Sequence, residues 1–125
     1  MGDELWTRAA NELAAMIVRG ETSSREVVDA HLERIDEVND HCNAVVRVLA
    51  DEARSQAAAA DAAVAAGDDL GTFHGVPFTV KENLDVAGTP TTQGLPAFAD
   101  LVAPTDAPIV ERMRSAGGIP IGRTN

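Results

Sequence analysis

The chain has 125 residues, a length that suits one domain and lets roughly two-thirds of the unfolded surface be buried. Twenty acidic residues against ten basic ones leave a net charge of −10, which argues against nucleic-acid binding through the phosphate backbone. No apolar run approaches the roughly 20 residues of a membrane helix, the acidic start MGDELWTRAANEL is unlike a secretory signal, and the lone Cys42 excludes a disulfide framework or a cysteine metal cluster. We therefore expect a cytoplasmic protein that uses no membrane. Three Phe, one Trp and no Tyr predict a lean core. Among the ten bases, Lys81 is the only lysine.

Residues 1–69 hold fifteen acids and six arginines, and read as mainly helical. Across Glu4–Arg19, Leu5, Ala9, Leu13, Met16 and Ile17 recur at helical spacing, with Gly20 placed to stop the helix. Ser23, followed three residues later by Glu26, predicts a capping box at the start of a second helix. In that helix Val27, Val28, Leu32, Ile35 and Val38 form one stripe. Asn43–Leu49 reads as a short strand. The alanine-rich stretch Asp51–Ala66 predicts a third helix, closed by Gly67 and narrow enough to lie close against a neighbour.

From residue 70 glycine and proline punctuate the chain, and the reading becomes strand, loop, helix, strand. Residues 76–81 form a near-continuous apolar strand of the kind that helices cover on both faces. Residues 84–104 predict a long irregular connection with extended pieces. Thr105 or Asp106 is placed to cap a fourth helix, with Pro108 in its first turn and Ile109, Val110 and Met113 facing inward. Gly117-Gly118 ends it, and residues 119–122 form another short strand. Strand 76–81, helix 106–116 and strand 119–122 make a βαβ unit. The expected class is α/β, with residues 1–125 forming the N-terminal segment of a single domain, helices around a mixed or parallel sheet of about three strands. Such a sheet leaves faces and edges uncovered, so more of the domain is expected to follow Asn125.

Lys81 closes the apolar strand, and ligand sites in α/β sheets collect at the carboxyl ends of strands. A partly buried lysine there loses hydration of its charged form, which favours the neutral amine and lets it act as a base. A lysine whose head simply reaches water at the strand end is the other reading. Four serines are present. Ser23 and Ser24 belong to a helix start, and Ser55 and Ser115 fall within helical stretches with no glycine-rich turn to expose them. His41 and Cys42 are adjacent, a spacing that rarely lets side chains face each other as a catalytic pair; a small buried thiol is expected instead. His31, His41 and His74 lack metal-ligand spacing. Glu82 and Asp85 read as solvated loop carboxylates.

The runs HGVPFTVKENLDVAGTPTTQG (74–94) and DAPIVERMRSAGGIPIGRTN (106–125) resemble the N-terminal part of the amidase signature family. The shared order is a His-Gly-Val-Pro lead-in containing His74, a lysine strand, an asparagine, a Gly-x-Pro-Thr-Thr turn, a helix, and a strand ending in Thr-Asn. SSREVVDAHLERI and NAVV are similar to the region that precedes it. The resemblance covers about residues 5–125 and is specific over 74–94. It implies amide hydrolysis by a Ser–cis-Ser–Lys triad without a cofactor or metal, with Lys81 as the base and a small-molecule amide as substrate. Both serines and the oxyanion-stabilising amides would lie in a Gly/Ser-rich segment downstream. Departures from the family pattern are Glu82-Asn83 for Asp-Asn, Gln93 and Leu95 where smaller residues are common, and Arg123 where a lysine is frequent. Two other readings stay open: the amidase subunit of a tRNA-dependent amidotransferase, and a non-catalytic fragment or interaction module.

Overall fold

The computed structural model describes residues 4–125. A 3-10 turn at Leu5–Thr7 leads into α1 (Ala10–Val18), α2 (Ser24–Cys42), β1 (Val45–Val48), α3 (Ala50–Ala66), β2 (Pro77–Lys81), α4 (Pro108–Ser115) and β3 (Ile119–Thr124). A second 3-10 turn at Pro96–Phe98 lies within the long connection between β2 and α4. No helix among the described residues is long and apolar enough to cross a membrane.

The first helix starts later than its periodicity predicts. Ala9 is extended (φ −69°, ψ 151°), and Glu12 reaches back to accept its N–H at 2.9 Å. Ser23 caps α2 as expected: its Oγ accepts the Glu26 N–H at 3.0 Å, and Glu26 Oε2 accepts the Ser23 N–H at 2.8 Å. A second cap comes from another helix. Asp61 of α3 accepts the Ser24 N–H at 2.7 Å and the Arg25 N–H at 3.1 Å, satisfying amides that a helix start leaves free. The alanine helix lies close to α2 as its composition predicts, burying Ala53, Ala57 and Ala60 against Val28 and Leu32. Gly67, in the left-handed region at φ 72°, closes it.

The sheet is mixed, in the order β1–β3–β2, with β1 antiparallel and β2 parallel to the central β3. The expected βαβ unit is therefore present as β2–α4–β3, and β3 runs on to Thr124. Ile119 and Ile121 of β3 pack against α2 and α3. Val80 of β2 packs with Val86 and with Val110 of α4, Phe78 lying alongside. A third cluster joins Leu13 and Ile17 of α1 to Val27 and Val76. The long connection has one extended pairing, an antiparallel bridge between Pro90 and Val102.

Three local expectations are corrected. Neither Thr105 nor Asp106 caps α4; the cap position falls on Ala107, with Pro108 in the first turn. Asp106 is drawn instead to the connection, where Oδ1 accepts the Ala87 N–H at 2.8 Å and Oδ2 pairs with Arg114 Nε at 2.8 Å. Ile109 is 59% exposed, because this eight-residue helix buries only Val110 and leaves Met113 half-buried. Cys42 is exposed, its Sγ donating to the Val38 carbonyl at 3.5 Å. The buried positions of α2 all lie in its first half, so its last turn carries no packed face.

Candidate active site

Lys81 ends β2, paired in register with Thr124 of β3. Beyond these strand ends lies a cleft of about 410 Å³, lined by Val46, Lys81, Glu82, Asn83, Gln93, Gly94 and Asn125. Its place at the carboxyl ends of two parallel strands is where α/β sheets collect ligands. Lys81 itself is exposed in this chain rather than partly buried. The reason is topological: β2 is an outer strand, and its inward position is taken by Val80.

The Thr-Thr-Gln-Gly turn folds back onto the end of β2. The Glu82 N–H donates to the Thr124 carbonyl at 2.8 Å, and the Glu82 carbonyl accepts the Gln93 N–H at 3.0 Å. Gln93 and Gly94 are both left-handed, at φ 51° and 76°. A Leu95 N–H to Thr92 carbonyl bond of 2.8 Å closes the turn around them. Glu82 is buried, with its carboxylate accepting the Thr92 hydroxyl. It is therefore not a solvated loop carboxylate, because the turn covers it. Asp85 does stay exposed, and accepts the Thr91 hydroxyl at 2.6 Å.

The lead-in is a clamp between elements. His74 is buried and donates from Nε2 to the Ala60 carbonyl of α3 at 2.8 Å; a carbonyl only accepts, so Nε2 carries the proton. Gly75 sits at φ 76°, and a Cβ there would approach the Ser24 side chain to 2.8 Å. The Ser24 hydroxyl donates to the Gly75 carbonyl at 2.7 Å. His74, Gly75 and Ser24 thus fix the start of β2 to α2 and α3.

None of the four serines lines the cleft at Lys81. Ser23 and Ser24 serve the start of α2, as expected, and Ser55 and Ser115 are exposed on helices. His31 is occupied within its own helix, Nδ1 lying 2.7 Å from the Val27 carbonyl. His41 is exposed in the last turn of α2.

In the sequence, Arg123 stands out only as a departure from a family pattern. It is the largest fully buried side chain, with no exposed surface. Its guanidinium donates to the carbonyls of Val80 (3.4 Å), Lys81 (3.3 Å), Pro90 (3.1 Å) and Leu84, and to the Thr89 hydroxyl. Burial pushes its pKa down, and the negative field of Glu82 and Asp85 opposes that shift. The available signal was a charged residue directly after the predicted apolar strand 119–122; β3 runs on through it to Thr124, which places the charge where polar partners are needed.

A family model described as Amidase matches residues 26–125. Among curated proteins, the chain is 48% identical to an indoleacetamide hydrolase of Bradyrhizobium diazoefficiens over 121 residues, 97% of this chain and 23% of that protein. It is 43% identical to a glutamyl-tRNA(Gln) amidotransferase subunit of Salinispora arenicola over 122 residues, 98% of this chain and 25% of that protein. Among solved structures, a bacterial aryl acylamidase of the amidase signature family superposes with a TM-score of 0.87 at 30% identity, covering 94% of this chain and 25% of its own. The chain thus spans about a quarter of the length of the curated relatives it matches. With the match running from the first turn of α2 to the end of β3, across the lysine strand and the turn folded onto it, the chain belongs to the amidase signature family.

Proposed function

We propose that the complete protein hydrolyses a carboxamide C–N bond with Lys81 as its general base. The observation that carries this reading is the place of Lys81, the only lysine in the chain, at the carboxyl end of β2 in a cleft it shares with Glu82, Asn83, Gln93 and Asn125. The residues around it resemble the family motif, with Glu82 and Gln93 as departures from it. As a neutral amine, Lys81 Nζ accepts a proton relayed from one serine through a second serine held on a cis peptide bond. The first serine's oxygen bonds to the amide carbon, the C–N bond breaks, and the proton passes to the departing amine. Water then cleaves the acyl ester, releasing the carboxylic acid and restoring the serine. Both serines are assigned to sequence outside these 125 residues. Because Lys81 is exposed here, the same outside sequence is also assigned the covering of its amine, which favours the neutral form.

The likeness to an indoleacetamide hydrolase supports a small carboxamide as substrate, and makes indoleacetamide the first probe. In the complete protein, Lys81→Ala is expected to lower kcat/KM for that probe by about a hundredfold or more, the usual contribution of a positioned base. Lys81→Arg, whose side chain stays charged, should be equally impaired. Near-normal turnover in either variant would sink the assignment.

The likeness to an amidotransferase subunit favours a second reading, in which the released ammonia is passed on rather than lost. With one lysine and strongly acidic helices, this chain would leave tRNA contact to partner subunits. Glutamine hydrolysis that rises only when such partners and charged tRNA are added would select this reading over the free-standing amidase.

A further inference from the structure

We propose that Arg123 is a positioning residue for Lys81, its buried guanidinium bracing the carbonyl groups on both sides of the turn that carries the lysine. The inference rests on the reading of Lys81 as the base.

Lys81 is the last residue of β2, and the chain leaves the sheet immediately after it. Ladder bonds to β3 hold one side of this strand end; beyond it the Lys81 carbonyl accepts only local support, the Leu84 N–H at 3.1 Å. Arg123 supplies the rest. It lies opposite Val80 in the register of β2 and β3, and its Nη2 donates to the same Lys81 carbonyl and to that of Leu84. Nε donates to Val80, while Nη1 reaches Thr89 and Pro90. One rigid fork therefore spans the residue before the lysine, the lysine, the end of its turn, and the Thr89-Pro90 segment of the connection that precedes the Thr-Thr-Gln-Gly turn.

The partner chemistry separates this role from an ion pair. All five acceptors are neutral oxygens, and among the described residues no carboxylate lies within ion-pair distance of Arg123. A buried cation is costly when its nearest carboxylates, here Glu82 and Asp85, act only through their field and not by direct contact. An apolar side chain could fill the volume, yet it would leave those carbonyls unsatisfied. The lysine that is frequent at this position in the family offers three donors at a single point and spans fewer of these acceptors, whereas the planar guanidinium offers five in fixed directions. The geometry thus uses arginine as a backbone brace, and the braced segment is the one that aims Lys81.

The test uses the complete protein with Arg123→Lys, Arg123→Met and, as a milder change outside the arginine, Thr89→Val. Folding is followed by thermal melting, turnover of indoleacetamide as separate kcat and KM, and the Lys81 amine by its rate of acylation. Cleavage after arginine releases Ser55–Arg112, a peptide with Lys81 as its only lysine, so mass spectrometry reads that one amine. Folded Arg123→Lys is expected to lose about tenfold or more in kcat with KM nearly unchanged, the signature of a misplaced catalytic group. Its Lys81 acylation should rise severalfold. Arg123→Met should lose more than Arg123→Lys, and Thr89→Val less. Wild-type kcat and wild-type Lys81 labelling in folded Arg123→Lys and Thr89→Val would overturn the proposal. If neither arginine variant folds, Thr89→Val decides by the same two readouts. Turnover that survives in Lys81→Ala defeats the base reading alone; Lys81 labelling in Arg123→Lys then still shows whether Arg123 holds the lysine.

Discussion

Asp29 joins two helices through one carboxylate. Oδ2 pairs with Arg25 Nε of its own helix at 2.8 Å, and Oδ1 with Arg54 Nε of α3 at 2.8 Å. The hydrogen bond from Arg54, aided by Arg25, holds the Asp29 carboxyl below its ordinary value. Bonds from the Ser23 amide and the Thr22 hydroxyl do the same for Glu26. A carboxyl lowered on folding stabilises the fold at pH values above its unfolded pKa, and the contribution is lost as pH falls through the folded value. Thermal melts are therefore expected to show a declining melting temperature below about pH 4. Asp29→Asn should flatten part of that decline while lowering stability at neutral pH only slightly, since these pairs are solvent-exposed. An unchanged acid limb in Asp29→Asn would show that the pair contributes nothing. The capping box was legible because its partners lie three residues apart. The Asp29–Arg54 pair was not, because 25 residues separate them.

At the scale of elements, local chemistry and tertiary contact divide the work at helix ends. Gly67 stops α3 by its own backbone freedom. The start of α2 needs Ser23 from its own segment and Asp61 from α3. Asp61→Ala is expected to cost about 1–2 kcal/mol, as the loss of a helix cap does, read from urea unfolding. A cost near zero would mean that water replaces the carboxylate at those amides. The fourth helix shows the converse. Its sequence carries two good capping residues, but Asp106 makes stronger use of its oxygens with Ala87 and Arg114. The helix starts on Ala107 and relies on Pro108, which lacks an N–H to satisfy. Periodicity likewise named Ile109 as inward, although only contact with β2 could select Val110 alone from that face.

For the whole molecule, the sheet has one inner strand and two outer ones. Val46 and Val48 of β1 are exposed, as are Leu84 and Ile109 on the side of β2. No serine lines the cleft, so the purified 125-residue chain is expected to release no detectable acid from indoleacetamide. Measurable turnover that vanishes in Lys81→Ala would contradict that, and would place a nucleophile within these residues. Silence from this chain together with activity of a longer product would set aside the non-catalytic reading. The sequence by itself determined the α/β class, the helix boundaries marked by glycine or a capping box, the βαβ unit, and the family, because each depends on residues close in the chain or on an ordered motif. Only the tertiary structure decided that Lys81 is exposed on an outer strand, that Glu82 is covered by a returning turn, and that Arg123 is buried. Those outcomes depend on which distant groups arrive beside a side chain, and a charge next to an apolar strand does not name the carbonyls that will receive it.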